Sequence, residues 1–200
     1  MSDLFKEKAG DWDANEMRQE LSSAIGSSIL EHVSLDGEMN VMDFGAGTGL
    51  LTSHIAPRVN KIAAVDTSIS MLEKLVAKPE FHGKVTAVCK DITVHPLNTR
   101  FDLIISAMAM HHIQDTDGLI KTFANHLRTG GKVALADLDK EDGSFHPPDT
   151  DGVYHHGFER EELKTLMKKN GFANIQFYTA HTVDKESKHY PIFLVTGEKS

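Results

Sequence analysis

The chain has 200 residues, of which 40% are hydrophobic and 25% charged, and this size and composition fit one globular domain with a buried core. Its formal net charge of −8 argues against a nucleic-acid partner, because such proteins concentrate lysine and arginine on one face. The single cysteine, Cys89, excludes an internal disulfide and fits a reducing cytosol. No apolar run approaches the about 18 residues that span a bilayer, and the amino-terminal segment is charged throughout. The sequence therefore predicts a soluble, cytoplasmic protein without a membrane or nucleic-acid partner.

The predicted elements alternate between helices and short strands. Apolar residues at three- and four-residue steps predict an amphipathic helix over 15–33. In chain order there follow a strand at 40–44, a helix from about Leu50, a strand at 61–66, a helix at 70–78, strands at 84–89 and 101–107, a helix at 117–127, a strand at 132–138 after a Gly130–Gly131 turn, a helix at 159–169, and β-rich runs at 173–181 and 189–198. Ser70 and Glu73 form a capping-box pattern at the start of the third helix.

Strands that alternate with helices need crossover connections, which predict a parallel sheet. The last two strands have no helix between them and are expected to pair as an antiparallel hairpin. The predicted fold class is α/β: a Rossmann-like, seven-stranded, mostly parallel sheet with a C-terminal antiparallel hairpin and helices on both faces, in a single domain over 1–200. The loop at 139–157 is long for a compact domain, which is typical of a functional loop and places it near the substrate pocket.

The turn after the first strand, in VMDFGAGTG, holds three glycines. Gly45, Gly47 and Gly49 give G-x-G-x-G, whereas the nicotinamide fingerprint is G-x-G-x-x-G, and its last glycine is replaced by Leu50. Asp43 stands two residues before the first glycine, where a carboxylate repels a pyrophosphate but suits an ammonium group. The turn therefore indicates a nucleoside with a cationic, amino-acid-like tail.

In these features the chain resembles the class I S-adenosylmethionine-dependent methyltransferases, over roughly residues 12 to 197. The resemblance implies S-adenosylmethionine as the cofactor, with Asp43 and the turn residues receiving its methionine part; these turn residues are Gly45, Ala46, Gly47 and Gly49. AVDTS is similar to the second landmark of the family, in which Asp66, beside Thr67, binds the ribose hydroxyls. One carboxylate can accept hydrogen bonds from both hydroxyls at once.

Two later motifs extend the resemblance. CKDI is similar to the adenine-binding motif, which implies that Asp91 accepts from the exocyclic amine and Ile92 donates its backbone N–H to a ring nitrogen. FDLIISAMAMHHI is similar to the fourth-strand motif, whose end, with Ala107, lies beneath the transferred methyl group. LRTGGKVALADL is similar to the turn into the fifth strand, with Thr129 in place of the usual proline.

Three functions are open at this point. The first is a methyltransferase acting on a small-molecule acceptor, as a monomer or homodimer. SAMAMHH stands where adenine and glutamine methyltransferases carry an Asn-Pro-Pro-Tyr-like segment, so these substrates are not expected. The second is a nicotinamide-dependent oxidoreductase, in which Asp66 would again bind the ribose. The third is a non-catalytic cofactor-binding subunit.

Two histidines are the catalytic candidates, His111 and His155. His111 follows the fourth strand at the carboxyl edge, where an imidazole can accept a proton from a hydroxyl, amine or thiol; alternatively it packs beneath the next loop. Tyr154 and His155 follow the long loop and either line the substrate pocket or lie on its exposed surface. Because the sulfonium already activates the methyl group, catalysis is expected to rely chiefly on positioning, with His111 or His155 contributing modestly.

The amino-terminal segment 1–34 carries Trp12, which either covers the pocket as part of a lid or anchors the first helix on the sheet. The histidine pairs are adjacent instead of spaced by three or four residues, and one cysteine excludes a thiolate cluster. No metal site is therefore predicted.

Overall fold

The computed structural model describes residues 3, 9–148, 150–185 and 187–200. In this part of the chain the helices are α1 (Glu16–His32), α2 (Leu50–Ile55), α3 (Ile69–Val76), α4 (Thr116–His126) and α5 (Arg160–Lys169). The strands are β1 (Asn40–Phe44), β2 (Lys61–Asp66), β3 (Val85–Cys89), β4 (Phe101–Ala107), β5 (Leu127–Leu138), β6 (Phe172–Lys185) and β7 (Lys188–Lys199). Short 3-10 turns lie at Ala56–Arg58, Pro79–Phe81 and Met110–His112.

The seven strands form one sheet in the order β3-β2-β1-β4-β5-β7-β6. The neighbours from β3 to β5 pair in parallel, and β7 pairs antiparallel with both β5 and β6. This confirms the predicted fold class. The strand order reverses direction at β1, whose neighbours are β2 and β4, and in such sheets the crevice at this switch point is the usual ligand site.

The apolar residues form two cores on opposite faces of the sheet. One core contains Ile25 and Ile29 of α1 together with Leu51 of α2, and the other contains Phe123 of α4 and Met167 of α5. Alternate residues of β4 enter opposite cores, as expected for a strand buried on both faces. Helices therefore cover both faces, and the carboxyl edge stays available for a site.

A polar side chain caps the first turn of both α1 and α3. Asn15 caps α1, and its side chain accepts from the Arg18 N–H at 3.0 Å. At α3 the predicted capping box of Ser70 and Glu73 is wrong: Ser68, in an extended conformation, accepts from the Met71 N–H. Ser70 already lies inside the helix, where its backbone N–H donates to Asp3.

Two strand predictions were too short. β5 begins at Leu127, so Gly130 and Gly131 lie within a strand instead of a turn. The pairing of β4 with β5 shifts register next to them, and Gly130 has a φ of +73°, as expected for a bulge. β6 is also longer than predicted and ends at Lys185. Its pairing with β7 continues beyond Ile192, the residue of β7 that pairs with Leu138 at the end of β5. None of the helices in the described part of the chain has the length and hydropathy that a membrane span requires.

Candidate active site

A cavity of about 440 Å³ opens at the carboxyl ends of β1, β2 and β4. Its wall includes these sequence-predicted cofactor and substrate residues: Trp12, Asp43, Gly45, Ala46, Gly47, Asp66, Thr67, Asp91, Ala107 and Tyr154. The structure thus brings together residues from six separate parts of the chain. Among the described lining residues four predicted ones are missing: Gly49, Ile92, His111 and His155.

The three glycines of the turn serve different purposes. A Cβ on Gly45 would lie 2.3 Å from the Cβ of Ala109, so this glycine permits the turn after β1 to pack on the turn after β4. A Cβ on Gly49 would lie 2.7 Å from Phe81, which assigns Gly49 to core packing. A Cβ on Gly47 would meet nothing within 4 Å. Gly47 therefore leaves space at the cavity, and a ligand can approach its backbone.

Asp43 lies at the base of the cavity and is only 1% exposed. Its Oδ2 accepts a hydrogen bond from the Thr52 hydroxyl at 2.6 Å. Burial raises the pKa of Asp43 to about 7; the hydrogen bond from Thr52 opposes this shift, and the negative charge of Asp66 adds to it. A cationic ligand nearby would favour the ionised carboxylate.

Asp66 ends β2 and holds the glycine turn. Its Oδ2 accepts from the Gly47 N–H and its Oδ1 from the Ser68 N–H, both at 2.8 Å. Burial raises the pKa of Asp66, although backbone hydrogen bonds from Ser68, Gly47 and Thr67 oppose the shift. Each carboxylate oxygen has a second lone pair, so both can still accept from ligand hydroxyls. This geometry fits the ribose contact that the sequence predicts.

Asp91 follows β3 and lines the cavity, with its Oδ1 accepting from the Thr93 N–H at 2.9 Å and the Thr93 hydroxyl at 2.6 Å. These bonds orient the carboxylate. The side chain of Ile92 packs in the core beside α4. The prediction for Ile92 concerned its backbone N–H, and it stays a prediction.

The turn after β4 contains a strained residue that sequence reasoning missed. Met108 lines the cavity with a φ of +55°, which is uncommon for a residue other than glycine. Its backbone N–H donates to Ala136 at 2.9 Å, which helps to hold this conformation. Such strain clusters at functional sites. A methionine in the sequence gives no indication of a positive φ.

His111 is buried, with 1% of its surface exposed, and its ring lies away from the cavity wall. Its Nδ1 is 2.7 Å from Oδ1 of Asp137, and its backbone N–H donates to the same carboxylate at 3.2 Å. Burial lowers the pKa of His111, but the charge and hydrogen bond of Asp137 outweigh that effect and raise it overall. Its Nε2 is buried and has no hydrogen-bond partner among the described residues.

His155 also has a role in loop packing. Its Nε2 lies 2.9 Å from the carbonyl oxygen of Ile113 and 3.2 Å from Oγ1 of Thr116. Because a carbonyl oxygen only accepts, Nε2 carries the hydrogen in this arrangement. The structure therefore places neither predicted histidine at the cavity wall, and their catalytic role stays a prediction.

The histidine that does line the cavity is His112. Its Nδ1 lies 2.6 Å from the carbonyl oxygen of Gly152, so Nδ1 carries the hydrogen and the neutral ring has its lone pair on Nε2. The sequence analysis chose His111 of this histidine pair and did not consider His112, whose ring lines the cavity. The 3-10 turn at Met110–His112 decides this.

The amino-terminal segment and the long loop complete the wall. From α1 and its preceding turn come Trp12, Arg18, Leu21, Ser22 and Ile25, and from the loop come Asp151, Gly152 and Tyr154. Asp13 accepts from the Thr48 hydroxyl and pairs with Lys78 at 2.7 Å, which fastens this segment to the glycine turn. Within the residues that the structure describes, no group of three or more His, Cys, Asp or Glu side chains is arranged to hold a metal ion.

The doubly wound sheet, the open glycine turn and the acids at the ends of successive strands define a class I S-adenosylmethionine-dependent methyltransferase. A family model described as a methyltransferase domain matches residues 14–177, so the chain belongs to the methyltransferase-domain family. Its cofactor is S-adenosylmethionine, which overturns the alternative of a nicotinamide cofactor.

The chain is also similar to methyltransferases among curated proteins and solved structures. An uncharacterized methyltransferase of Schizosaccharomyces pombe is 28% identical over 192 residues, which cover 80% of this chain and 67% of that protein. Malonyl-[acyl-carrier protein] O-methyltransferase of Acetivibrio thermocellus is 28% identical over 210 residues, covering 97% and 72%. A methyltransferase solved in complex with the Haloferax volcanii Trm112 activator has a TM-score of 0.79 at 15% identity and covers 99% of this chain and 98% of that one. Phosphoethanolamine N-methyltransferase 2 of Haemonchus contortus, solved with S-adenosylmethionine, has a TM-score of 0.70 at 17% identity, covering 87% and 52%.

Proposed function

We propose that the protein methylates a small-molecule acceptor that binds beside His112 and the 139–157 loop, and that His112 receives the proton of the acceptor. The observation that carries this proposal is the hydrogen bond between Nδ1 of His112 and the Gly152 carbonyl. It holds the ring in the tautomer with a lone pair on Nε2 while His112 lines the cavity.

The cofactor is held by residues of the first three strand ends. Asp43 and the backbone at Gly47 receive the methionine part, Asp66 with Thr67 the ribose, and Asp91 with Ile92 the adenine. When bound, S-adenosylmethionine supplies a methyl group activated by its sulfonium. The protein must then orient the acceptor, exclude water and take up one proton.

The acceptor wall is formed by Ala107 and His112 on the β4 side and by Asp151 and Tyr154 on the loop side. A nucleophile that loses a proton on methylation, a hydroxyl or an amine, fits a wall with one imidazole acceptor. His111 is then a positioning residue: its bonds to Asp137 fix the backbone next to His112. His155 acts in the same indirect way by fastening the loop to Ile113.

The charge and composition of the chain support the remaining parts of the proposal. The acidic net charge supports a small metabolite over a nucleic acid as the substrate. The single cysteine supports a cytoplasmic location. We also propose that the 1–34 segment, through Trp12, covers the occupied cavity, that residues 1–200 act as a single domain, and that the enzyme works as a monomer or a homodimer.

A metabolite library assayed for release of S-adenosylhomocysteine identifies the acceptor. The His112→Asn variant then tests the proton acceptor, because its amide nitrogen can still donate to Gly152 but its oxygen cannot take up a proton. We expect kcat to fall 10²- to 10⁴-fold, the usual range for a lost general base, with cofactor affinity unchanged. His82→Asn is the matched control, because His82 is exposed and is not among the residues that line the cavity. A loss below tenfold for His112→Asn would contradict the role of His112.

A further inference from the structure

The β6–β7 hairpin continues beyond the end of β5 as an overhang, which consists of residues 182–185 and 188–191. Phe145 of the 139–157 loop packs on this overhang. It is 7% exposed and belongs to the same apolar core as Tyr190 of the overhang, which is 4% exposed. Loops usually run over the surface of a protein, so a loop residue as buried as Phe145 is an anchor.

Two residues of the overhang hold Phe145 and its neighbour Ser144. The rings of Phe145 and Tyr190 lie edge to face with their centroids 5.2 Å apart, and the Tyr190 hydroxyl lies 2.8 Å from Oγ of Ser144. Nζ of Lys185 donates to the Phe145 carbonyl oxygen at 2.6 Å and lies 4.1 Å from the centroid of its ring. Lys185 and Tyr190 therefore fix both the backbone and the ring of the anchor.

From Phe145 the contacts continue to the cavity wall through His146. The rings of Phe145 and His146 are nearly perpendicular, with their centroids 5.0 Å apart. The His146 ring in turn lies 5.0 Å from that of His111 and 6.2 Å from that of His112, which lines the cavity. Nε2 of His146 is buried without a hydrogen-bond partner among the described residues, so packing places this side of the ring.

The Met110–His112 turn is held by a second part of the loop as well. The backbone N–H groups of Tyr154 and His155 donate to the His111 carbonyl oxygen at 3.0 and 3.3 Å, and Gly152 accepts from the His112 ring. The turn thus contacts both residues 145–146 and residues 152–155 of the loop. The overhang supports the first of these two segments.

We propose that Lys185 and Tyr190 are positioning residues for the acceptor wall: by holding Phe145 and His146, they fix the ring of His112 at the cavity. This inference rests on the proposed function, in which His112 faces the acceptor. Neither Lys185 nor Tyr190 is among the described residues that line the cavity, so both act through the loop.

The overhang should affect the acceptor side of the cavity and leave the cofactor side unchanged. The proposed cofactor contacts of Asp43 and Asp66 belong to β1 and β2, and β4 and β5 separate these strands from the β6–β7 hairpin in the sheet. A change at the overhang reaches the loop directly, through Phe145, and does not pass through these cofactor residues.

The test follows the His112 ring by NMR in the Lys185→Met/Tyr190→Phe double variant, which loses the ammonium and hydroxyl groups and keeps the side-chain size. Two-bond hydrogen–nitrogen correlation spectra distinguish the two neutral tautomers of histidine, and the His112→Asn spectrum identifies the His112 signals. In the parent we expect one tautomer, with the hydrogen on Nδ1, because Nδ1 lies 2.6 Å from the Gly152 carbonyl oxygen. In the double variant the Nε2–H tautomer should appear, because the displaced ring loses this bond.

Three further measurements sharpen the test. Lys168→Met/Tyr178→Phe is the matched control, at an exposed lysine of α5 and a tyrosine of β6 that both lie outside the cavity lining, and it should give the parent spectrum. Lys185→Arg keeps a charged donor and should also restore the parent spectrum. Once an acceptor is known, the double variant should lose roughly five- to thirtyfold in kcat/KM for it, as expected for two lost hydrogen bonds, with unchanged affinity for S-adenosylhomocysteine.

Unchanged His112 signals in the folded double variant would overturn the proposal. A lower Tm together with the parent spectrum would show that Lys185 and Tyr190 only stabilise the fold. Circular dichroism establishes whether the double variant is folded; if it is not, the two single variants decide the question by the same spectrum. The NMR measurement needs no acceptor and no turnover, so its failure is separate from a failure of the proposed function, which the activity of His112→Asn would reveal.

Discussion

Two alanine substitutions in the glycine turn separate space for the ligand from space for the core. Gly45 and Gly47 both have positive φ, +69° and +54°, so alanine at either position costs about 1–2 kcal/mol of backbone strain. At Gly47 the added methyl group meets nothing within 4 Å, and strain is the whole cost. At Gly45 the methyl group would lie 2.3 Å from Ala109, which adds roughly 1–3 kcal/mol of overpacking.

These estimates give a clear difference in stability. For a domain of this size, about 1 kcal/mol lowers Tm by roughly 2–4 °C. Gly47→Ala should therefore lose only a few degrees in thermal unfolding without ligand, whereas Gly45→Ala should lose roughly 5–15 °C. In isothermal titration, Gly47→Ala should nevertheless lose at least tenfold in affinity for S-adenosylhomocysteine, because its methyl group projects into the ligand space.

The matched control is Gly37→Ala, at an exposed glycine where a Cβ likewise meets nothing and φ is not positive. It should change neither Tm nor affinity by a measurable amount. If Gly47→Ala bound the cofactor product as tightly as the parent, the open space at Gly47 would not belong to the ligand. If it unfolded as readily as Gly45→Ala, the assignment of different roles to the two glycines would be wrong.

Three further predictions concern Asp66, Asp43 and the pair of His111 with Asp137. Asp66→Ala should weaken S-adenosylhomocysteine binding by about 1.5–3 kcal/mol, as expected for hydrogen bonds to a charged group, and should leave the affinity for free homocysteine unchanged; equal titration curves for parent and variant would exclude the ribose contact. Because the pKa of Asp43 is raised to about 7, binding of the cationic tail at pH 7 should release a fraction of a proton, detected by titration calorimetry in buffers of different ionisation enthalpy, and Asp43→Asn should abolish that release. The raised pKa of His111 means that its pairing with Asp137 stabilises the fold fully below the unfolded pKa of about 6.5 and that this contribution is lost as pH rises through the folded pKa. The difference in unfolding free energy between the parent and His111→Asn should therefore shrink from pH 6 to pH 9 in denaturant titrations, and a difference that grows with pH would contradict the ion pair.

The fold could be predicted from the sequence, and so could the position of several cavity-lining residues, because both depend on the local order of strands and turns. Strand periodicity places Asp43 and Asp66 near the ends of neighbouring parallel strands, and parallel strands bring those ends to one edge. The glycine spacing then identified the turn. The spacing could not separate the open position of Gly47 from the packing roles of Gly45 and Gly49, because these roles depend on Ala109 and Phe81 in distant parts of the chain.

The acceptor half could not be predicted to the same extent. His111 and His112 are adjacent, and the choice of the ring that faces the cavity depends on Asp137, a buried partner 26 residues away. His155 is held by backbone carbonyls, which no side-chain pattern reveals.

The ends of the 139–157 loop are held close together: Asp139 forms a β-bridge with Phe158, and the Lys140 N–H donates to the Phe158 carbonyl at 3.1 Å. The segment between them can therefore vary in sequence and length, because the sheet fixes the positions of its two ends. The residues proposed to hold the cofactor lie outside this segment, whereas Asp151, Gly152 and Tyr154 of the cavity wall lie within it. On the proposed assignment of the cavity wall, exchanging this segment between relatives would change which molecule is methylated and leave the cofactor site unaltered.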